Sequence, residues 1–547
     1  MRLVRSALVV VLAGVTGAGC GSGDAEQAPS DAEPAAGAAA MEEWVSETEA
    51  GTKPIKALNW NLQSEPTSVD PIKSAYYSEN QVLANMCESL LRLNPDYTTS
   101  PGLAKASNPS PKKWVYDVNP EARFWNGKPV TADDVAYSLN RNVDEELGSF
   151  WSFYYRNVDN IKVSGDDQVT VTLKRPDYVF AQGMATVAGA VVEEDYVRKQ
   201  GKKLGTNSGG LMCTGPFEFD SWEPGSKITL KRNADYWIED RRAEAETLTF
   251  RFLSDENSQT NALIGGTLDG EYQVPFSALS KLENTPSGTL YKGHSLIQYN
   301  LVVTNPEGPL SDARVRRALS MAIDREGIAA TAFRGAAAPA RTIVSQATYG
   351  YAKDTFAEAQ EGYGSTEVDI EGAKKLLAEA KPSRPVIMGY PTGGAAYEEQ
   401  VALAVESAAK EIGLPFTLKG IPTATYSTLF GDPKVTEGLD LIETAWYLDV
   451  PEPLVMYQQF LPGVSLYNLS KYENDTVTRY VNEAIGTADP EERAQLVLKA
   501  EAQVQKDLPW IGVVQIANTL FMNNKVGGAP ASFVQNYYPW AADIGGR

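Results

Sequence analysis

The stretch Phe124–Arg141 reads FWNGKPVTADDVAYSLNR and carries the clearest local structural signal in the sequence. Thr131 is a typical helix-capping residue. Asp133 and Asp134 follow in the first turn, where the helix dipole favours acidic side chains. We therefore predict that a helix begins at Thr131 and continues through the apolar and polar residues that follow.

Strand and helix patterns alternate on both sides of this stretch. Alternating apolar residues predict strands, and apolar residues spaced three and four apart predict helices. The predicted strands include Ile55–Leu62, Trp114–Val118, Val169–Leu173, Ile228–Leu230, Val386–Met388, Phe416–Leu418 and Leu439–Thr444. The predicted helices include Asn80–Leu91, Asn257–Leu268, Val315–Ala322, Asp369–Ala380, Glu398–Ile412 and Pro490–Asp507. This mixture predicts an α/β protein of several lobes.

Composition excludes several classes of function. The chain has 547 residues, with 49 Lys and Arg against 70 Asp and Glu, a net charge of −21. Nucleic-acid binding requires a surplus of basic residues, so it is not expected. A single histidine, His294, excludes sites built from several histidines, and the three cysteines have no metal-site spacing. We find no phosphate-binding loop and no nucleophile elbow, and we expect no metal, no cofactor and no enzymatic activity.

The N-terminus has the pattern of an export signal. Arg2 and Arg5 precede an apolar run of twelve residues, which is too short to cross a bilayer. Small residues then lead directly into Cys20, as in a bacterial lipobox. We predict that residues 1–19 are a lipoprotein signal peptide and that Cys20 is lipidated. The alternative is an ordinary secretory signal that is cleaved near Ala25.

The segment after Cys20 has the composition of a flexible tether. Residues 21–52 contain eight acidic residues, no Lys or Arg, and mostly small side chains. Such a segment cannot bury enough apolar surface to fold. We predict that residues 20–53 are a disordered acidic tether that holds the protein on the outer face of a bacterial cell membrane.

Several further stretches, in order along the chain, carry a resemblance to a known family. The stretches are SEPTSVDP (Ser64–Pro71), NMCESLLRLN (Asn85–Asn94), Phe124–Arg141, CTGPFEFDSWEPGSKITLKRNADYW (Cys213–Trp237), NPEGPLSDARVRRALSMAIDRE (Asn305–Glu326) and WYLDVPEP (Trp446–Pro453). Together they resemble the family 5 extracellular solute-binding proteins of ABC transporters, the oligopeptide- and dipeptide-binding group. The resemblance extends from about residue 55 to residue 547.

The resemblance implies a fold and a function. It implies a periplasmic-binding-protein-like fold (type II, cluster C) with two hinged lobes and an extra inserted domain. We predict a discontinuous lobe I (54–95, 205–304 and 513–547), an inserted lobe II (96–204) and a lobe III (305–512). The protein would capture an extracellular solute, most plausibly an oligopeptide, and deliver it as a monomer to a permease and its ATPase, which are separate chains. Alternatives are another solute (oligosaccharide, metal complex or cationic small molecule), a peptide-sensing signalling lipoprotein, and a glycan hydrolase.

The resemblance also implies a ligand site. Peptide-binding relatives hold the ligand's α-ammonium on the Asp of a W-x-x-D turn, which corresponds to Asp449 here. Trp446 and Tyr447 would lie against the ligand in the same turn. Glu65 and Tyr426 match pocket positions of oligopeptide binders. Glu443 stands where some relatives have Arg, and this reversal of charge favours a cationic ligand.

The two remaining cysteines lie in predicted lobe I. Outside the membrane, an isolated pair of thiols tends to oxidise. We therefore predict a disulfide between Cys87 and Cys213; the alternative is two buried free thiols.

Overall fold

The computed structural model describes residues 41–463 and 468–547. The strands are β1 Ile55–Leu62, β2 Leu91–Leu93, β3 Thr99–Pro101, β4 Ala104–Ser110, β5 Lys113–Val118, β6 Val158–Gly165, β7 Gln168–Leu173, β8 Phe217–Glu223, β9 Lys227–Arg232, β10 Ala245–Phe252, β11 Gly270–Tyr272, β12 Gly288–Val303, β13 Ala337–Pro339, β14 Val386–Thr392, β15 Phe416–Pro422, β16 Leu441–Tyr447, β17 Trp510–Asn523, β18 Val526–Gly527 and β19 Gly545–Gly546.

The helices lie between and after these strands. They are α1 Tyr77–Met86, α2 Ala132–Val143, α3 Ser152–Tyr155, α4 Val179–Gly183, α5 Glu194–Gln200, α6 Glu256–Ile264, α7 Leu279–Glu283, α8 Ala313–Ala322, α9 Arg325–Thr331, α10 Lys353–Glu361, α11 Ile370–Ala380, α12 Ala396–Glu411, α13 Thr423–Tyr426, α14 Leu454–Tyr457, α15 Asp475–Ile485 and α16 Pro490–Asp507. None of the described helices is both long enough and apolar enough to cross a membrane.

The helix predicted at Thr131 is present. The Thr131 side chain accepts a hydrogen bond from the Asp134 backbone N–H, and the Asp134 carboxylate accepts one from the Thr131 backbone N–H. This reciprocal pair satisfies two backbone donors that have no partner inside the helix. The local signal in the sequence therefore set the start of α2.

A large mixed sheet forms the centre of the protein. Its strand order is β15-β14-β16-β12-β17-β11-β1-β10-β9-β8, and β13 also pairs with β17. The long strands β12 and β17 run antiparallel to each other through the middle of the sheet. β17 is almost entirely buried, and β12 is buried from Ser295 to its end.

The predicted lobes differ in how they use this sheet. Predicted lobe II has a sheet of its own, in the order β4-β5-β7-β6. Predicted lobes I and III share the large sheet, because β12 pairs with β16 on one side and with β17 on the other. The predicted border between residues 512 and 513 falls inside β17. Lobes I and III are therefore joined by continuous strands rather than by a short linker.

The prediction of a disordered tether is wrong for residues 41–53. Trp44 is only 5% exposed and packs with Leu263, Leu268 and other apolar side chains. The Thr48 hydroxyl donates a hydrogen bond to the Ala529 carbonyl at 2.8 Å. Composition suggested disorder because acidic and small residues dominate, but one large apolar side chain is enough to hold this segment on the body. Residues 1–40, with the predicted signal peptide and Cys20, lie outside the described residues.

Candidate functional site

A cavity of about 840 Å³ opens beside the large sheet. Its floor includes Ile297 of β12, Ala445 of β16 and Ile516 of β17. Ile297 is paired with Ile516, and Ala445 lies two residues before the partner of Ile297 on β16. Its walls come from the loop segments 273–277 and 393–397. The cavity is large enough for a small-molecule or peptide ligand.

Asp449 lies just after β16 and receives hydrogen bonds from two phenols. The Tyr537 hydroxyl donates to its Oδ1 atom, and the Tyr154 hydroxyl donates to its Oδ2 atom at 3.4 Å. These tyrosines come from predicted lobes I and II, whereas Asp449 belongs to predicted lobe III. The site therefore gathers residues from all three parts of the chain.

Burial raises the pKa of Asp449 to about 6, although the two phenols act in the opposite direction. An acid with such a pKa is enclosed without a full counter-charge. A cation placed beside this carboxylate would favour its ionised form and form a charge-assisted hydrogen bond. The site therefore offers a half-buried carboxylate whose ionised form a cation would stabilise.

Two aromatic side chains connect Asp449 with the cavity. The Tyr447 and Tyr77 rings have their centroids 4.7 Å apart, and Tyr77 lines the cavity. Burial raises the pKa of Tyr77, and the charge of Asp449 raises it further. Asp449 is therefore close enough to act on a group that borders the cavity.

Trp446 does not line this cavity. Successive side chains of a strand point to opposite faces, so Trp446 lies on the other face of the sheet from Ala445. Its ring packs edge-on against Phe430 and Trp510, at centroid distances of 5.5 and 5.8 Å. The side chains of Trp446 and Tyr447 therefore lie on opposite faces of the sheet, although the sequence predicts that both contact the ligand.

Tyr426 contacts the backbone of β16 rather than the cavity. Its hydroxyl donates to the Glu443 carbonyl at 2.6 Å and accepts from the Glu443 backbone N–H at 3.1 Å. Tyr426 and Glu443 are both buried. The two predicted residues are therefore in contact, with Tyr426 fixing the backbone that carries Glu443.

Glu65 is held away from the cavity lining. Its carboxylate accepts hydrogen bonds from the Trp222 indole N–H at 2.7 Å and from the Gly225 backbone N–H at 2.9 Å. Both donors belong to the hairpin between β8 and β9. The Glu65 carboxylate therefore bonds to the protein itself. A match of short sequence motifs cannot tell such a residue from one that contacts the ligand.

Cys87 and Cys213 form a disulfide in the structure, with their Cα atoms 5.0 Å apart. The bond links residues that are 126 positions apart. In the chain-entropy description, closing a loop of this size stabilises the folded state by roughly 4–5 kcal/mol.

Three residues at the site carry no local signal in the sequence. Tyr154 and Tyr537 come from distant segments, and only the tertiary fold brings them to Asp449. Arg334 is the third: it lines the cavity, and its backbone has a positive φ of 52°. Such a backbone is uncommon for a residue with a side chain and is frequent at functional sites.

A cavity beside a large mixed sheet, with an inserted lobe that has its own sheet, is the architecture of a solute-binding protein. The family model of bacterial extracellular solute-binding proteins, family 5 (Middle), matches residues 98–467. The chain belongs to this family of solute-binding proteins, which are not enzymes.

Known relatives agree with this membership. The periplasmic oligopeptide-binding protein OppA of Salmonella typhimurium is 27% identical over 490 residues, covering 86% of this chain and 88% of OppA. The structure of AgaA from A. tumefaciens R10 with agropinic acid has a TM-score of 0.75 at 21% identity, and covers 90% of this chain and 99% of that one. The oligopeptide-binding protein AppA from Bacillus subtilis, in complex with a nonapeptide, has a TM-score of 0.72 at 18% identity, and covers 90% and 100%.

Proposed function

We propose that this protein is the lipid-anchored receptor of an ABC importer and that it captures oligopeptides outside the cell membrane. The single observation that carries the proposal is Asp449, a half-buried carboxylate that accepts hydrogen bonds from two phenols. The adjacent rings of Tyr447 and Tyr77 link it to the cavity of about 840 Å³. A peptide would place its α-ammonium on this carboxylate. The naming of OppA and AppA as oligopeptide-binding proteins supports a peptide ligand.

Arg334 complements this arrangement. Two acidic residues, Asp255 and Glu256, line the cavity together with this one cation, among the described residues. The Arg334 side chain is exposed and forms no ion pair within the described part of the chain. We propose that it attracts a carboxylate of the ligand, while Asp449 holds the ammonium.

Closure around the peptide would move predicted lobe II against the large sheet. Tyr154 belongs to predicted lobe II and donates to Asp449 of predicted lobe III. A ligand held between these residues would stabilise the closed state. A decrease in the radius of gyration on adding peptide, measured by small-angle X-ray scattering, tests this movement.

The location outside the membrane has its own support. Disulfides persist in oxidising compartments, and Cys87 is bonded to Cys213. We propose that Cys20 is the lipidated first residue of the mature protein. Intact-mass analysis of native protein tests this: an unmodified N-terminus downstream of Cys20 would exclude the anchor. Titration of fewer than two free thiols in denatured, unreduced protein is expected from the disulfide.

Native mass spectrometry of protein purified from its own host tests the peptide proposal. We expect a retained peptide mass and its loss on denaturation. Calorimetry with tetra-alanine and N-acetyl-tetra-alanine then tests the ammonium contact. Retention of a sugar or a metal complex, or equal binding of both peptides, would contradict the proposal. A neighbouring sensor-kinase gene in place of permease genes would favour a signalling role.

A further inference from the structure

Two glutamates lie directly behind one wall of the cavity. Glu443 belongs to β16 and is 1% exposed. Glu398 is half-buried in the first turn of α12. A methyl group added at Gly394, which lines the cavity, would come within 2.5 Å of the Glu398 Oε2 atom. The Glu398 carboxylate therefore lies next to Gly394 and Thr423, both of which line the cavity.

The geometry of β16 turns Glu443 toward the same side. Side chains two residues apart share a face of a strand, so Glu443 lies on the face of Ala445, which lines the cavity. Ala445 is paired with Tyr299 of β12 in a regular register. The small side chain of Ala445 leaves room between Glu443 and the ligand space.

Glu443 has no partner for its charge. Neither carboxylate oxygen has a hydrogen-bond donor in proper geometry among the described residues. No cationic side chain of residues 41–463 or 468–547 forms a salt bridge with Glu443 or Glu398. A buried carboxylate without a counter-charge is costly.

The side chains that face these carboxylates are acidic or phenolic, and the Ala395 backbone N–H also donates to the Glu398 Oε2 atom at 3.1 Å. Burial raises the pKa of Glu443 well above its ordinary value, Glu398 raises it further, and the Tyr299 phenol acts in the opposite direction. Burial raises the pKa of Glu398 to about 7. Tyr397 of α12 and Tyr426 of α13 complete the surroundings, and the charges of both glutamates act on each of these phenols.

We propose that Glu443 and Glu398 form a subsite for a cationic group of the solute, such as the side chain of a lysine or arginine in a bound peptide. The inference rests on the proposed function, because it names the side chain that the peptide would carry. Two carboxylates beside small wall residues match an ammonium or a guanidinium, which can donate to both.

The spacing along β16 predicts where that side chain would stand in the peptide. Glu443 precedes Asp449 by six residues, so their Cα atoms are at most about 20 Å apart. If Asp449 holds the α-ammonium, a cationic side chain at the second to fourth position of an extended peptide would reach Glu443.

A lysine scan tests the subsite. The probes are tetra-alanine and its variants with lysine, or with the apolar isostere norleucine, at position two, three or four. We expect that at one position lysine binds about ten- to a hundredfold more tightly than norleucine to the wild-type protein. Glu443→Gln should abolish this preference and leave the affinity for the norleucine peptide within about threefold.

Two further variants serve as controls. Glu437→Gln removes an exposed carboxylate close to β16 in sequence, and should keep the full preference for lysine. Glu398→Gln should reduce the preference and serves as the test if Glu443→Gln does not fold. In calorimetry at pH 7 in buffers of different ionisation enthalpy, the lysine peptide should release protons from the wild type and release fewer from Glu443→Gln.

The outcomes separate this inference from the proposed function. If tetra-alanine binds but lysine has no advantage at any position, or its advantage survives Glu443→Gln, the subsite is excluded and the peptide proposal stands. If no peptide binds, the peptide proposal fails. The subsite is then tested with 1,5-diaminopentane: it should raise the melting temperature of the wild type but not of Glu443→Gln, and an equal effect on both would exclude it.

Discussion

Glu501 and Glu443 are both buried glutamates, at 0% and 1% exposure, but their surroundings are opposite. The Glu501 carboxylate accepts hydrogen bonds from Tyr349, Tyr363 and Tyr457 at 2.5–2.6 Å. The Glu443 carboxylate accepts no such bond from the described residues. Folding alone satisfies the first acid, whereas the second acid has only the Tyr299 phenol nearby, and no hydrogen bond of good geometry reaches it within the described residues. The comparison indicates which buried charge supports the fold and which is available to a ligand.

Asp449 lies between these two extremes. Two phenols donate to it, yet burial still raises its pKa to about 6. It is partly satisfied by the protein and leaves part of its hydrogen-bonding capacity to a ligand. The three acids therefore form a series, from fully to least hydrogen-bonded by the protein, and the following predictions test whether the least bonded ones bind a ligand.

The largest expected effect is on the stability of the structural acid. Glu501→Leu would leave the buried phenols of Tyr349 and Tyr457 and the half-buried phenol of Tyr363 without this acceptor. Each unsatisfied buried donor costs about 1–3 kcal/mol. We expect the free energy of unfolding in urea to fall by on the order of 5 kcal/mol, allowing for some relaxation. A loss below about 1 kcal/mol would show that the phenols find other acceptors, and would remove the contrast with Glu443.

Asp449→Asn is expected to affect binding more than stability. The amide keeps the shape of the carboxylate but leaves the ligand ammonium enclosed without its counter-charge. Affinity for tetra-alanine should fall by roughly 2–5 kcal/mol, about 30- to several-thousand-fold. N-acetylation of the peptide should weaken binding to the wild type but matter little to the variant, because both changes remove the same contact. Equal losses in both proteins, measured by calorimetry, would contradict the ammonium contact.

The pH dependence of binding provides a further test of Asp449. An ionised carboxylate is needed to pair with the ammonium, and the ionised fraction of a group with a pKa near 6 falls as the pH decreases through 6. The dissociation constant of tetra-alanine should therefore rise about tenfold between pH 7 and pH 5. Asp449→Asn should show no such slope, since an amide does not titrate. A flat profile for the wild type would indicate that another group holds the ammonium.

The smallest expected effect has the opposite sign to the first. The pKa of Glu443 is raised in the folded protein, so this acid lowers stability as the pH increases and it ionises. Glu443→Gln removes that cost and should stabilise the unliganded protein by about 1 kcal/mol at pH 8, and by less at pH 5. Thermal unfolding at both pH values measures this difference. Destabilisation at pH 8 would show that Glu443 has a structural partner.

Local signals in the sequence predict the first and last residues of some elements correctly. The strand Ile55–Leu62 and the helix Pro490–Asp507 have the predicted bounds, because alternation marks the first and Asp489 with Pro490 marks the start of the second. The ends of Asn80–Leu91 and Asn257–Leu268 were less accurate: both helices end earlier, at Met86 and Ile264. Periodicity continues past the point where tertiary contacts end a helix.

The candidate site could be predicted only in part. Asp449 and Glu443 follow from a match to family motifs, but the burial of each, the two phenols on Asp449 and the lack of well-formed hydrogen bonds on Glu443 become visible only in the fold. Tyr154 and Tyr537 lie 295 and 88 residues from Asp449 in sequence, so no pattern within one segment could have paired them with it. Trp44 was assigned to the tether because its neighbours have a disordered composition.

The long strands β12 and β17 also limit the number of independent motions in the protein. Their backbone pairing extends from Gly288 to Val302 on one strand and from Trp510 to Asn523 on the other, and the pairs to residues 510–512 cross the border of predicted lobes I and III, as do the pairs between β12 and β16. Bending the sheet there would break many of these bonds at once, so we expect these two lobes to behave as one rigid body. A single fluorophore pair that spans the large sheet and the segment 104–173 would then report the whole opening and closing. A pair placed at the two ends of the large sheet would give the same signal with and without ligand.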